Sequence, residues 1–402
     1  MTNARSLALA FSLAALGLHA PISAQEPGDR THTAACLSRF DPWLVAHQDE
    51  DGKWDADDFG KHDEDEPSAG PGRADQDVLV TSAALLALVA DGSTHRNGPF
   101  KDSVRRGLRW LRTQQDPETG IVGVSRQAAE EREAEADPYT ESELLSHVIA
   151  TLALVEATSL SDSTLLAPNA TAAVAAMETH SGLPTSLESF AEAPSALRTT
   201  RIGFEVMALG ATLTHEHWAN DARRIRERLS RFGDLLNPAL ERAASSDPDT
   251  AKTWNHLLAS TLLAHNLAIT AGNEDLEPSF GAEPPSTDAS EELIEARRAA
   301  RSLLLRDCLP SPQSDDEETT NAEVDHASNP SLILHSAYAL HRGTPRERLT
   351  LERSLEPIVG AQRSNGEFDP TGPLRALGGR VYSAAILGTT LTFYYRYSRI
   401  AH

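Results

Sequence analysis

The chain has 402 residues, 24% of them charged and only 5% aromatic, with 59 acidic against 36 basic side chains and a formal net charge of −23. A field of that sign repels polyanions and excludes nucleic acid as a partner. The length can bury one large core or two smaller ones, and two cysteines are too few for a disulfide framework.

The N-terminus carries one cation, Arg5, then an apolar run from Leu7 to Leu18 and a small-residue site at Ser23-Ala24. This order predicts a secretory signal peptide over residues 1–24, cut near Ala24, and hence a periplasmic or secreted protein. No later stretch reaches the roughly 20 apolar residues that a membrane span needs, so no transmembrane segment is expected. Cys36 and Cys308 fall on well-separated helices and are expected to stay unpaired.

From Leu37 onward the periodicity is helical, and two kinds of helix alternate. One kind is apolar nearly all round: Val78–Val89, Leu144–Val155, Ile202–Leu209, Trp254–Ile269, Leu332–Leu340 and Val381–Tyr395. The other is striped. Val104, Leu108 and Leu111 sit amid Arg105, Arg106, Arg109 and Arg112, and Ile225, Leu229, Phe232 and Leu236 sit amid five arginines. Residues 162–178, 291–305 and 347–359 read similarly, and Leu37–Ala46 starts the series.

A helix that is apolar on all sides must be covered on all sides, whereas a striped one has water behind it. The alternation therefore predicts an all-α fold, an (α/α)6 toroid of about twelve helices in inner and outer layers, as one domain over residues 25–402. An open superhelix of hairpins satisfies the same pattern. Acidic loops rich in Asp, Glu, Pro, Gly or Ser interrupt it at 49–75, 116–136, 272–288 and 309–329.

A short motif recurs at helix ends. Trp43-Leu44 precedes Gln48, Gly52 and Trp54; Trp110-Leu111 precedes Gln115, Gly120 and Val122; Ile358-Val359 precedes Gln362, Gly366 and Phe368. The glutamine amide can satisfy helix-end backbone groups, the glycine permits a turn, and the last residue packs over the junction. Such a motif serves the fold.

This pattern resembles the QW repeat of squalene-hopene cyclases and their prenyltransferase-like relatives, a superfamily of α/α toroids. Gly52-Lys53-Trp54-Asp55, Gly107-Leu108-Arg109-Trp110-Leu111, His147 with Ala150-Thr151-Leu152-Ala153, and Gly378-Gly379-Arg380-Val381-Tyr382 with Tyr394-Tyr395-Arg396-Tyr397 are similar to an exported bacterial subgroup of it. The likeness covers most of residues 36–398 and is faint between 180 and 330.

Within the resemblance, Asp55-Ala56-Asp57-Asp58 matches the Asp-x-Asp-Asp motif of class II terpene cyclases. It implies Asp57 as the general acid that protonates an alkene, with Asp55 and Asp58 tuning it. Against this, the tetrad runs into a loop with Lys61, His62, Asp63, Glu64, Asp65 and Glu66, and the chain is poor in the rings that line a cyclase cavity. The zinc of protein prenyltransferases is not expected, because Asp307-Cys308 lacks the Asp-x-Cys spacing, and no cofactor or metal is expected.

The polar residues near the starts of the inner helices, Asp77, Tyr139, His147, Arg201, His335, Arg380 and Tyr382, form the expected ligand-binding set. The reading is a non-catalytic binding or scaffold protein of the cell envelope, holding a lipid-like or glycan ligand. The alternatives are a terpene-cyclase-like isomerase using Asp57, and a glycan lyase or hydrolase with Tyr139, His147 and Arg201 as a candidate base and cation.

Overall fold

The computed structural model describes residues 31–63, 70–124, 138–190, 194–270, 291–310, 329–341 and 344–400. The segment read as a signal peptide and nearly all of the loops at 272–288 and 309–329 lie outside these residues. Among the described residues the regular structure is helical, with isolated bridges as the sole strand-like pairings.

The helices are α1 Thr31–Ala46, α2 Asp77–Ala90, α3 Lys101–Thr113, α4 Glu141–Ser161, α5 Ala167–Thr179, α6 Ala196–Thr212, α7 Ala222–Gly233, α8 Leu236–Ser245, α9 Pro248–Thr270, α10 Glu291–Asp307, α11 Pro330–Leu340, α12 Pro345–Gly360 and α13 Arg375–Ile400. Six of them pack side by side in the order α2, α4, α6, α9, α11, α13, and α13 returns to α2, so the circle closes. These are the apolar ones. In α2 every residue after Asp77 is buried. The others lie outside, with α3 and α7 burying a single apolar stripe each.

The expected single outer helix around Ile225–Leu236 is two. Pro238 lacks a backbone N–H and clashes with the preceding turn, so it is tolerated only near a helix start, where α8 places it. Gly233, the last residue of α7, lies against the backbone of His265 in α9.

α4 is long and apolar enough to cross a membrane, but 89% of its most apolar window is buried inside the ring. Its hydrophobicity is that of an inner stave. The thiols of Cys36 and Cys308 are free and buried, and burial pushes each up to about 12.

The glutamine motif closes the outer layer. Gln48 Nε2 donates to the carbonyls of Gly52 and Ser103, Gln115 Nε2 to those of Gly120 and Asn169, and Gln362 Nε2 to those of Gly366 and Cys36. Each glutamine thus spans its own turn and the next outer helix: α1 to α3, α3 to α5, and α12 back to α1. The amide serves the neighbouring helix as well as its own end.

The glycine has two reasons to be glycine. Gly52 and Gly120 adopt φ +107° and +79°, and a Cβ there would lie 2.5 Å from the carbonyl oxygens of Arg106 and Ala172. We expect Gln362→Ala to lower stability by about 1–3 kcal/mol, since it strands buried carbonyls at the seam. Urea unfolding checks this.

Candidate functional site

Each outer helix turns back into an inner one, so the six inner helices run the same way and their N-termini share one mouth. The described part of the loop at 49–75 lies over that mouth. Trp54 anchors it: its indole donates to the Leu44 carbonyl at 2.6 Å and its backbone N–H to Thr81 of α2 at 2.9 Å. Farther on, Gly72 donates to the Ala56 carbonyl, Arg73 to that of Leu377, and the Arg380 amide to Gly70. The strand of chain is therefore sewn between α2 and the start of α13.

This placement puts Asp55 beside Asp77, the first residue of α2. Asp55 is buried and Asp57 and Asp58 are exposed. Carboxylate oxygens of Asp55, Asp57 and Asp77 lie within 4.8 Å of one another. A cation already stands among them: Lys53 Nζ is 3.0 Å from Asp55 Oδ2 and 2.6 Å from Asp77 Oδ2. Lys61 adds a second, 3.2 Å from Asp55 Oδ2 and 2.9 Å from Asp49 Oδ2.

The backbone completes the shell, with the amides of Asp57 and Asp58 donating to Asp55 Oδ1 and that of Ala56 to Asp77 Oδ1. Burial works to raise the Asp55 carboxyl, but the bonds from Lys53, the Asp58 amide and Lys61 outweigh it and hold it well below the usual carboxylate range. Asp57 moves the other way. Lost hydration, then the hydrogen bond and charge of Asp55, push its carboxyl above the ordinary value. The tetrad is one fixed anion with a more weakly acidic carboxyl exposed beside it.

A second polar group occupies the mouth over α4 and α6. The Tyr139 ring meets His180 edge-on at 5.0 Å, Arg201 Nη1 donates to the His180 carbonyl at 3.0 Å, and Arg201 pairs with Glu141 at the start of α4. Tyr139 and Arg201 therefore come together, with His180 between them.

His147 does not join them. It is fully buried and its Nδ1 accepts from the Val122 amide of the second repeat motif, the place that Thr81 fills for Trp54 in the first. Burial pushes the imidazole down to about 3, so it is neutral. Arg380 and Tyr382 differ from the expected mouth lining as well. Arg380, 2% exposed, donates to the Phe368 carbonyl and to Asp369 and pairs with Glu367. Tyr382, 1% exposed, shares a 2.7 Å hydrogen bond with Ser331 of α11. Both hold the third repeat and α13 in place.

His335 sits inside the ring. Its Nδ1 is 2.6 Å from His256 Nε2, His256 Nδ1 is 3.2 Å from Thr199 Oγ1, and the ring packs on Gly203 and Phe204 of α6.

Lys53, Lys61, His180 and His256 were missed as site residues. The lysines had a signal, being two of only four in the chain and flanking the tetrad. His256 and His335 are 79 residues apart, and nothing in the sequence pairs them.

The closed double ring and its polar mouth define an α/α toroid. No protein-family profile matches the chain, and no curated protein matches it. Among solved structures it is similar to the type II terpene cyclase MstE from Scytonema, at 13% identity over 91% of this chain and 98% of that one, with a TM-score of 0.47. It is also similar to a protein from Actinoplanes, at 14% identity over 90% and 99%, with a TM-score of 0.46.

Proposed function

We propose that this chain is an exported, non-catalytic ligand-binding or scaffold protein of the cell envelope, with the mouth of the ring as its working face. The observation that carries the reading is the state of the tetrad. An acid that protonates an alkene needs a dry surround, because water competes for its proton and levels its strength. Asp57 is open to water, and its buried neighbour Asp55 is neutralised by two lysines.

The groups left reachable at the mouth are carboxylates with a few cations among them, a surface suited to a polar or glycan-like component. The apolar run at Leu7–Leu18 supports export.

Purified protein incubated with squalene or a shorter prenyl substrate should return it unchanged. The same protein should gain thermal stability with peptidoglycan fragments or phospholipid vesicles, and Asp57→Asn with Asp58→Asn should alter that gain. Conversion of squalene, abolished by Asp57→Asn, would sink the reading. A second reading, an isomerase using Asp57 as its acid, is favoured by the upward push on the Asp57 carboxyl, and the same incubation decides it.

A further inference from the structure

The inner ring carries a feature that the mouth does not use. α4 is apolar or hydroxyl-bearing through its buried length except for His147 and Glu156. His147 points outward, to the repeat motif under α5. Glu156 lies nine residues on, and at about 100° per residue it points the opposite way, into the lumen.

On α11, Ser336 faces outward to Cys308, the residue after α10, and Tyr338, two residues on, is turned about 200° from it, into the same space. α4 and α11 are third neighbours in a ring of six, so Glu156 and Tyr338 face each other across its axis.

Glu156 is 4% exposed and Tyr338 5%. Among the described residues neither the carboxyl nor the phenol makes a hydrogen bond or ion pair, and the two do not bond to each other. Buried polar groups are almost always satisfied by protein or water, so a facing pair with no protein partner is open to a polar guest. One wall is aromatic: the Tyr338 ring stacks on Phe393 of α13 with centroids 3.9 Å apart and planes 16° from parallel. One turn before Tyr338 on α11, His335 also has a buried nitrogen, Nε2, without a partner.

We propose that the lumen between Glu156 and Tyr338 is a binding site for a small primary ammonium ligand. Among the described residues no cation pairs with the carboxyl, so the complement it asks for is a positive charge. Calcium or magnesium demands six or more oxygen ligands, and the wall offers a carboxylate, a phenol and ring faces. An ammonium group with three N–H donors matches them: it bonds to Glu156 and to the Tyr338 oxygen and lies against aromatic faces. The site is separate from the mouth, and its fate does not depend on the tetrad.

Burial alone raises the Glu156 carboxyl, to about 8, so the empty site holds a neutral acid at pH 7. A bound ammonium draws it into the ionised form, and the proton leaves to buffer.

The test is calorimetric titration of the full chain with methylammonium at pH 7 in two buffers of different ionisation enthalpy. Saturable binding with proton release is expected, abolished in Glu156→Gln and weakened several-fold in Tyr338→Phe. Glu156→Gln replaces a neutral acid by a neutral amide, and Tyr338→Phe removes one oxygen, so the second variant carries the test if the first does not fold. Absence of binding to the wild type, or unchanged binding in either folded variant, overturns the assignment.

Discussion

Arg380→Ala should lower the stability of the protein by about 3–5 kcal/mol, the usual cost of removing one member of a buried ion pair. Arg380 Nη1 lies 3.3 Å from Glu367 Oε1 and 3.0 Å from Asp369 Oδ1 and also donates to the Phe368 carbonyl, with Arg380 and Glu367 both almost fully buried. Truncation removes the buried cation beside Glu367, whose other ion pair, with Arg363 at 3.4 Å, is to a side chain that is half exposed. The damage falls at a critical place, because these residues hold the third repeat motif and the start of α13, which closes the ring against α2. Arg380→Lys should recover only part of the loss, since an ammonium cannot reproduce the guanidinium fork. Urea unfolding followed by circular dichroism measures both.

The second large effect is a dependence on pH that Glu156→Gln removes. Glu156 titrates near 4.5 when unfolded and is pushed up to about 8 by burial in the fold. Between those values the unfolded chain loses the proton while the native one keeps it, so the contribution of Glu156 to stability falls as pH rises from about 4.5 to 8, and the wild type loses ground to Glu156→Gln over that range. At about 1.4 kcal/mol per pH unit the loss is on the order of 5 kcal/mol. Glutamine has no proton to lose, so the variant should overtake the wild type as pH approaches 8. On the acid side the sign reverses. Asp55 and Asp369 are held below their ordinary values by their cations, so the stability they contribute is present above about pH 4 and lost as pH falls below it. His147, His256, His265 and His335 are held below their ordinary values by burial, so they add stability as pH rises towards about 6.5 and oppose Glu156 there. Thermal unfolding from pH 3 to 9 should therefore give a maximum near about pH 7, with the decline above it removed in Glu156→Gln.

The fold was legible because it rests on coverage. Helices such as Val78–Val89 must be walled in on every side, and the striped helices between them have one apolar face each, so two layers follow from burial alone. The repeat motif was legible as a staple. Its second partner was not, because the carbonyl that Gln362 reaches belongs to Cys36 at the other end of the sequence.

The mouth was read less well, for a physical reason. Helix-start position shows which residues are near an opening and is silent on whether they point into it. Arg380 turns to the third repeat motif, Tyr382 to Ser331 of α11, and His147 to the amide of the second motif. Glu156 carried a signal of its own, a lone carboxylate in a run of Leu, Ala and Val, and the ring's geometry gives it a direction.

The outer layer closes on itself, last helix against first. Arg39 of α1 bonds to Gln362 across that seam, and Arg363 beside it is half exposed. A variant with Arg39→Cys and Arg363→Cys, treated with a short bis-maleimide, tests it most directly, since Cys36 and Cys308 are buried and their thiols too weakly acidic to compete. A closed ring predicts an intramolecular crosslink in the native protein that disappears in urea. Native protein that forms no such link, or only links between molecules, would mean that the helices wind as an open superhelix with no common mouth or lumen.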